Sequence, residues 1–128
     1  MNNKSIIIFI FTSLVLKNSY ALIDFESLYK TWGAAANSES ITIGKDLWSK
    51  EFISGKNCAS CHTNDLKQSG KHLKTKKIIK PLSPSANKKR LTSERKINKW
   101  LKRNCKFTYN RECTPSEKVS FIEYIRTN

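Results

Sequence analysis

The hydrophobic residues of this chain recur three and four positions apart, which is the spacing of one face of an α-helix. The first such segment covers residues 22–36, and its apolar face consists of Phe25, Leu28, Tyr29 and Trp32. The second covers residues 40–54, with an apolar face of Ile43, Leu47, Trp48 and Phe52. It ends at Gly55 and contains Gly44, which permits close contact with another helix. Both segments therefore predict short amphipathic helices.

The C-terminal third of the chain predicts two more helices. Thr92 or Ser93 can cap the first of them, which begins at Glu94. Its apolar face consists of Ile97, Trp100 and Leu101. The next position on this face is Asn104, an inward-facing amide where a hydrophobic side chain is expected. The second helix follows residues 114–117, Thr-Pro-Ser-Glu, which combine an N-cap, a proline at the first helical position and a capping-box acid. Its predicted inward-facing residues are Val119, Ile122 and Ile125.

Residues 63–90 separate these helices, and they are polar, rich in lysine and interrupted by Pro81 and Pro84. This composition predicts a loop. Little of the sequence alternates between apolar and polar residues, so a β-sheet is not indicated. We therefore predict an all-α fold of about four helices.

Residues 1–21 have the features of a secretory signal peptide. Lys4 supplies the positive charge, residues 6–16 form an apolar run, and Ser19 and Ala21 supply the small-x-small cleavage pattern. The apolar run falls short of the roughly 20 residues needed to span a bilayer, although an uncleaved segment could serve as a short tether. We expect cleavage near Ala21, no transmembrane segment in the mature chain, and one domain over residues 22–128.

Cys58, Cys61 and His62 form the pattern Cys-x-x-Cys-His. In this pattern the two thiols add to the vinyl groups of a haem, and the adjacent histidine becomes an axial ligand of its iron. The composition predicts on the order of 0.002 chance occurrences of the pattern in this chain. The sequence therefore predicts one covalent haem c, in a small fold similar to class I cytochromes c. Bacteria attach such a haem outside the cytoplasm, which agrees with export to the periplasm.

Other cysteine chemistry fits the sequence less well. A thioredoxin-like redox pair requires a βαβ context that the pattern does not indicate. A zinc site would need Cys105 and Cys113, which are spaced more widely than the usual ligand pair. These two cysteines are left over, and an oxidising compartment favours a disulfide between them.

The second axial ligand of the iron is left open by the residues alone. No methionine follows Met1, which excludes the common methionine ligand. His72 would give a bis-histidine, low-potential electron carrier, or it is a solvated loop residue. Lysines are numerous but protonated at neutral pH. Asn104 is the remaining candidate, unless its side chain only caps its own helix.

The chain is strongly basic, with 24 lysines and arginines, 10 acidic residues and a net charge of +14. Between Lys67 and Arg103, fourteen basic residues are accompanied by only one acidic residue, Glu94. Nucleic-acid binding is not expected, because the protein is exported and the lysine run has no interleaved aromatic residues for base stacking. The run forms either a solvated surface or a positive face that steers an acidic protein partner.

Several segments resemble the sphaeroides haem protein class of cytochromes c, whose members are monohaem, high-spin and oxygen-binding. The match includes the segments 58–62, 79–85, 99–105 and 111–118. Lys76 stands where a glycine is common in the family. The resemblance implies that His62 and Asn104 are the two axial ligands and that Cys105 pairs with Cys113. It also implies redox partners such as a dihaem cytochrome c or a membrane cytochrome b.

Three functions compete on these grounds. The resemblance implies a periplasmic cytochrome that binds O₂, NO or CO at ferrous iron after redox-linked release of Asn104, and that exchanges electrons with other cytochromes. The alternatives are a bis-histidine carrier that uses His72, and a terminal oxygen, nitric oxide or hydroxylamine reductase. We expect a gas-binding, electron-transferring haem protein rather than a dedicated enzyme, and assign no catalytic residue.

Overall fold

The structure is a computed structural model that describes residues 22–128, so the predicted signal peptide lies outside the described residues. Five helices and a two-stranded ribbon follow one another along the chain. They are α1 (Phe25–Thr31), α2 (Ser40–Ser49), α3 (Ala59–His62), β1 (Gly70–Lys71), β2 (Ile78–Ile79), α4 (Glu94–Tyr109) and α5 (Pro115–Arg126). The all-α prediction is confirmed. None of the helices in the described part of the chain has the length and hydrophobicity to cross a membrane.

Helix α2 packs across α5, and Gly44 lies at the crossing. A Cβ atom on Gly44 would overlap the carbonyl oxygen of Ser120 and lie 2.8 Å from the Cβ of Tyr124. The close helix contact predicted for Gly44 is therefore present. Helix α2 ends at Ser49, five residues earlier than predicted. Ile43, predicted on its apolar face, is 41% exposed, because the crossing at Gly44 brings a different edge of the helix against α5.

Side-chain caps fix where the two C-terminal helices begin. Ser93, rather than Thr92, caps α4, since its side chain accepts from the backbone N–H of Lys96. The capping box of α5 is complete: Thr114 accepts from the N–H of Glu117 at 3.2 Å, and the Glu117 carboxylate accepts from the N–H of Thr114 at 2.8 Å. Both predicted starts are confirmed.

The ribbon corrects the prediction that residues 63–90 form only a loop. Gly70 pairs with Ile79 and Lys71 with Ile78, in antiparallel register. Strands of two residues are too short to produce an alternating pattern, which is why the sequence did not indicate them. The turn between them places Lys76 at φ 58°, a left-handed conformation that favours glycine. A glycine, as expected here from the family resemblance, would adopt this conformation without strain.

Two hydrophobic clusters form the core. One joins α1 to α4 and α5 through Leu28, Tyr29, Ile97, Val119 and Ile122. The other joins α2 to the ends of α4 and α5 through Trp48, Leu66, Cys105, Cys113, Phe121 and Tyr124. Leu66 is only 1% exposed, although it lies in the segment that the composition marked as polar. The second cluster forms one wall of a large cavity.

Candidate functional site

A cavity of about 1240 Å³ opens between the haem motif, the loop of residues 75–93 and α4. Small-molecule sites usually measure roughly 300–1,000 Å³, so this cavity suits a large cofactor. The structure brings to its wall all the candidate ligands from the sequence: Cys58, Cys61, His62, His72 and Asn104.

The haem motif is one helical turn. The N–H groups of Cys61 and His62 both donate to the carbonyl oxygen of Cys58, at 3.3 and 3.1 Å. Asn57 holds the start of this turn, because its side-chain oxygen accepts from the N–H of Ser60 at 2.8 Å. Neither Cys58 nor Cys61 is in a disulfide. The turn therefore presents two unpaired thiols and one imidazole to the same cavity.

Two residues that sequence analysis did not assign to the site support this turn. A Cβ atom on Gly70 would overlap the carbonyl oxygen of Cys61 and lie 2.9 Å from the Cα of His62. Trp48 donates from its indole N–H to the carbonyl of Thr63 at 2.8 Å, and its ring lies 5.7 Å from the His62 ring. The spacing within the motif gives no sign of these contacts, because Trp48 and Gly70 both lie outside it.

The imidazole of His62 is suited to bind a metal. Burial, with the nearby charges of Arg90 and His72, lowers the pKa of His62 to about 4, so the ring is neutral at neutral pH. Neutral imidazole is the form that coordinates metals. Within residues 22–128, its Nδ1 is the single buried side-chain nitrogen or oxygen without a hydrogen-bond partner. An unpaired buried group of this kind costs about 1–3 kcal/mol, which a bound cofactor can offset.

The thiols fit attachment rather than redox exchange or zinc binding. Burial raises the pKa of Cys58 to about 12, so this group is a thiol and not the thiolate of a reactive redox pair. Among the described residues, no three His, Cys, Asp or Glu side chains gather into a metal site. The cavity, the two neighbouring free thiols and the neutral imidazole together fit one covalent haem.

Asn104 differs in one respect from its prediction. The amide was expected to be inward-facing, yet Asn104 is exposed. It nevertheless lines the cavity, as do the other residues of its helix face, Ile97, Trp100 and Leu101. Trp100 is 49% exposed on the same face. Beyond the buried Ile97, this face of α4 is thus directed at the cavity rather than at a closed protein core, which explains how an amide is tolerated there.

His72 also lines the cavity, but its ring already has a protein partner. It is half-buried, with its ring centroid 6.2 Å from that of Phe107. Its Nδ1 accepts from the backbone N–H of Thr75 at 3.1 Å. The lone pair of Nδ1 is therefore already engaged, and iron binding through this nitrogen would break the hydrogen bond.

Cys105 and Cys113 lie where the end of α4 meets the start of α5. Their sulfurs are at bonding distance, their Cα atoms are 5.5 Å apart, and both residues are buried. Cα separations of 4.4–6.8 Å are usual for disulfides, as a rough range. Cys105 follows Asn104 directly, so this pair fixes the part of α4 that carries the amide.

The cavity is surrounded by positive charge. Eight basic residues and no acidic residue contribute to its wall and rim: Lys77, Lys80, Lys88, Lys89, Arg90, Lys96, Arg103 and Lys106. Lys106 lies 3.6 Å from the carboxylate of Glu112, and no ion pair within residues 22–128 includes any of the other seven. Seven of the fourteen basic residues between Lys67 and Arg103 thus line the cavity.

Known proteins are similar to most of the described chain. A family model with the description "Domain of unknown function (DUF1924)" matches residues 34–125. The chain is 42% identical over 92 residues to cytochrome c'' of Methylophilus methylotrophus, a match that spans 69% of this chain and 64% of that protein, less than two thirds of its length. It is 36% identical over 97 residues to the cytochrome c-type protein SHP of Cereibacter sphaeroides, spanning 73% of this chain and 72% of that protein.

Solved structures show the same similarity. Oxidized SHP, described as an oxygen-binding cytochrome c, matches with a TM-score of 0.70 and 32% identity, over 80% of this chain and 95% of that chain. A solution structure of cytochrome c'' from Methylophilus methylotrophus, concerned with haem-ligand detachment, matches with a TM-score of 0.65 and 35% identity, over 80% of this chain and 92% of that chain.

Proposed function

Because the chain belongs to the SHP-type family of monohaem c-type cytochromes, with one covalently attached haem c, we propose that it binds diatomic gases after reduction. The haem supplies an iron that changes between ferric and ferrous states and has an axial position where O₂, NO or CO can bind. In this proposal the protein controls access to that position and exchanges electrons with other cytochromes.

Cys58 and Cys61 are the residues that we propose to form the two thioether links, with His62 as the permanent axial ligand. The single turn of α3 keeps the three side chains together at the cavity wall. Trp48 and Gly70 hold that turn from behind through the contacts described above. The protein therefore needs no rearrangement to present the histidine to iron.

Asn104 is the residue that we propose as the second, detachable ligand. An amide oxygen is a neutral, hard donor, so it binds ferric iron moderately and ferrous iron poorly. Reduction would therefore release Asn104, and its NH₂ group could then donate a hydrogen bond to the gas. Haem-ligand detachment in cytochrome c'' and oxygen binding in SHP support this proposal by similarity.

The observation that carries the proposal is the contrast between Asn104 and His72. Both line the cavity, yet the ring of His72 already has a protein partner, since its Nδ1 accepts from the backbone N–H of Thr75. The side chain of Asn104 is exposed on the cavity wall, so its amide is available. This contrast favours a detachable amide over a bis-histidine carrier.

Two substitutions distinguish Asn104 from His72 as the second axial ligand. Asn104→Ala should change the ferric absorption spectrum and leave the ferrous spectrum nearly unchanged, because the amide binds only in the ferric state. His72→Ala serves as the matched control from the same cavity and should leave the ferric ligand spectrum intact. If His72→Ala instead converts a six-coordinate ferrous iron to a five-coordinate one, the bis-histidine carrier is correct and the proposal fails.

The cellular setting is proposed on chemical grounds. A disulfide between Cys105 and Cys113 and covalent haem attachment both suit an oxidising compartment, so we place the protein in the periplasm. The positive rim suits an acidic redox partner such as a dihaem cytochrome c or a membrane cytochrome b, because charges of opposite sign accelerate encounter.

A further inference from the structure

Arg90 stands out among the basic residues of the cavity. It is the only one of the eight that is not exposed. Its Nε donates to the carbonyl of Pro81 at 2.8 Å, and one terminal nitrogen donates to the carbonyl of Lys80 at 2.6 Å. These bonds fix the plane of the guanidinium at the cavity wall. They also use only two of its five N–H donors.

The remaining donors of Arg90 have no acidic partner. No ion pair within residues 22–128 includes it. Burial lowers its pKa from the ordinary arginine value, which reflects the cost of removing the charge from water. A partly buried guanidinium with free donors is well placed to bind an anion. The planar fork of arginine is matched to a carboxylate, which it can bind through two parallel hydrogen bonds.

We propose that Arg90 is a haem-binding residue that holds a propionate carboxylate of the covalent haem. Haem carries two such carboxylates, and Arg90 lines the same cavity as Cys58, Cys61 and His62. The inference rests on the bound haem but not on the release of Asn104. The proposal also gives the loop of residues 75–93 a function. Arg90 would connect the carbonyls of Lys80 and Pro81 to the cofactor by hydrogen bonds.

The reduction potential of the purified holoprotein tests this role. A positive charge near the iron favours the ferrous state, so Arg90→Gln should lower the potential. Lys89→Gln is the matched control, because it removes one charge from the adjacent, exposed residue. The shift should be larger for Arg90→Gln, because the charge of Arg90 is partly buried and therefore less screened by water than that of Lys89. Equal shifts in the two variants would overturn the proposal.

Resonance Raman spectroscopy tests whether the carboxylate bound by Arg90 is a haem propionate. In resonance Raman spectra of ferric protein, the propionate bending band should move in Arg90→Gln and not in Lys89→Gln. Arg90→Lys keeps the charge but loses the planar fork, so it should retain most of the potential and still move the band. Arg90→Lys also takes the place of Arg90→Gln in this test if the glutamine variant fails to retain haem. An unmoved band in Arg90→Lys would overturn the proposal.

A free anion from solution could accept the same hydrogen bonds from Arg90 as a propionate. At constant ionic strength, replacing chloride by inorganic phosphate should leave the wild-type potential unchanged, because the propionate already occupies Arg90. A potential that depends on phosphate concentration would show that Arg90 binds an anion from solution, which contradicts the proposal. All these measurements can be made on ferric or redox-titrated protein without gas, so they are independent of the function proposed for Asn104.

Discussion

Gly70 determines how closely the ribbon can approach the haem motif. Gly70→Ala would place a methyl group against the carbonyl of Cys61 and the Cα of His62. Because the obstacle is backbone rather than a flexible side chain, we expect a loss of about 1–3 kcal/mol in the free energy of unfolding. The displaced turn should also alter the haem absorption spectrum. Denaturant unfolding and visible spectra of the holoprotein measure both effects.

Gly33→Ala is the control for this substitution. Gly33 has φ 77°, but no atom lies within 4 Å of a Cβ built there. We therefore expect only backbone strain, of about 1 kcal/mol, and an unchanged haem spectrum. Equal spectra for wild type and Gly70→Ala would contradict the support that we assign to Gly70.

Single residues differ in how well the sequence predicted them. The chemistry of Cys58, Cys61 and His62 is contained in their spacing, and Asn104 was marked by an amide on an apolar face. The sequence around Gly70 and Arg90 does not distinguish them. Gly70 is a glycine in a lysine-rich segment, and Arg90 is one of many basic residues. Their importance arises from contacts that form only in the folded loop, which hydrophobic periodicity does not describe.

The junction of α4 and α5 links stability to the proposed ligand. If Cys105 and Cys113 form a disulfide, denatured holoprotein should contain no titratable thiol, since haem occupies the other two cysteines. Cys113→Ser should lower the free energy of unfolding by roughly 2.5 kcal/mol, the loop-closure value for such a short loop. It should also change the rate of CO binding more than the haem content, because Cys105 adjoins Asn104.

Thr114→Ala is the control for the junction. It removes the N-cap of α5 one residue after Cys113 and should cost about 1 kcal/mol of stability. It leaves the sulfur link intact, so CO binding should keep its wild-type rate. One or two free thiols in denatured wild-type holoprotein would contradict the disulfide.

Elements with chemical start signals were predicted closely, whereas those shaped by distant contacts were not. The caps at Ser93 and Thr114 mark the starts of α4 and α5 in the sequence itself. Helix α2 stops at Ser49, although apolar residues continue to Phe52 at helical spacing. Phe52 instead packs against Tyr109 of α4, with ring centroids 3.7 Å apart. This contact is non-local, so periodicity alone could not predict the earlier helix end.

For the molecule as a whole, the distribution of charge has a testable consequence. If the positive rim meets an acidic dihaem cytochrome c, electron transfer should slow steeply with ionic strength, because exposed charges are screened over about 10 Å at 0.1 M salt. Lys88→Gln should slow the reaction at low salt, and Lys45→Gln, a control on α2 outside the rim, should not. Stopped-flow mixing measures these rates. A flat salt response would leave the rim as a solvated surface.

The central claim is that reduction opens an axial position on the iron, and the ferrous wild-type protein tests it most directly. Its absorption and magnetic circular dichroism spectra should show five-coordinate, high-spin iron, and CO should bind rapidly in stopped-flow mixing. The reason is that an amide oxygen competes poorly for soft ferrous iron. A ferrous protein that is six-coordinate, low-spin and slow to bind CO would contradict the account.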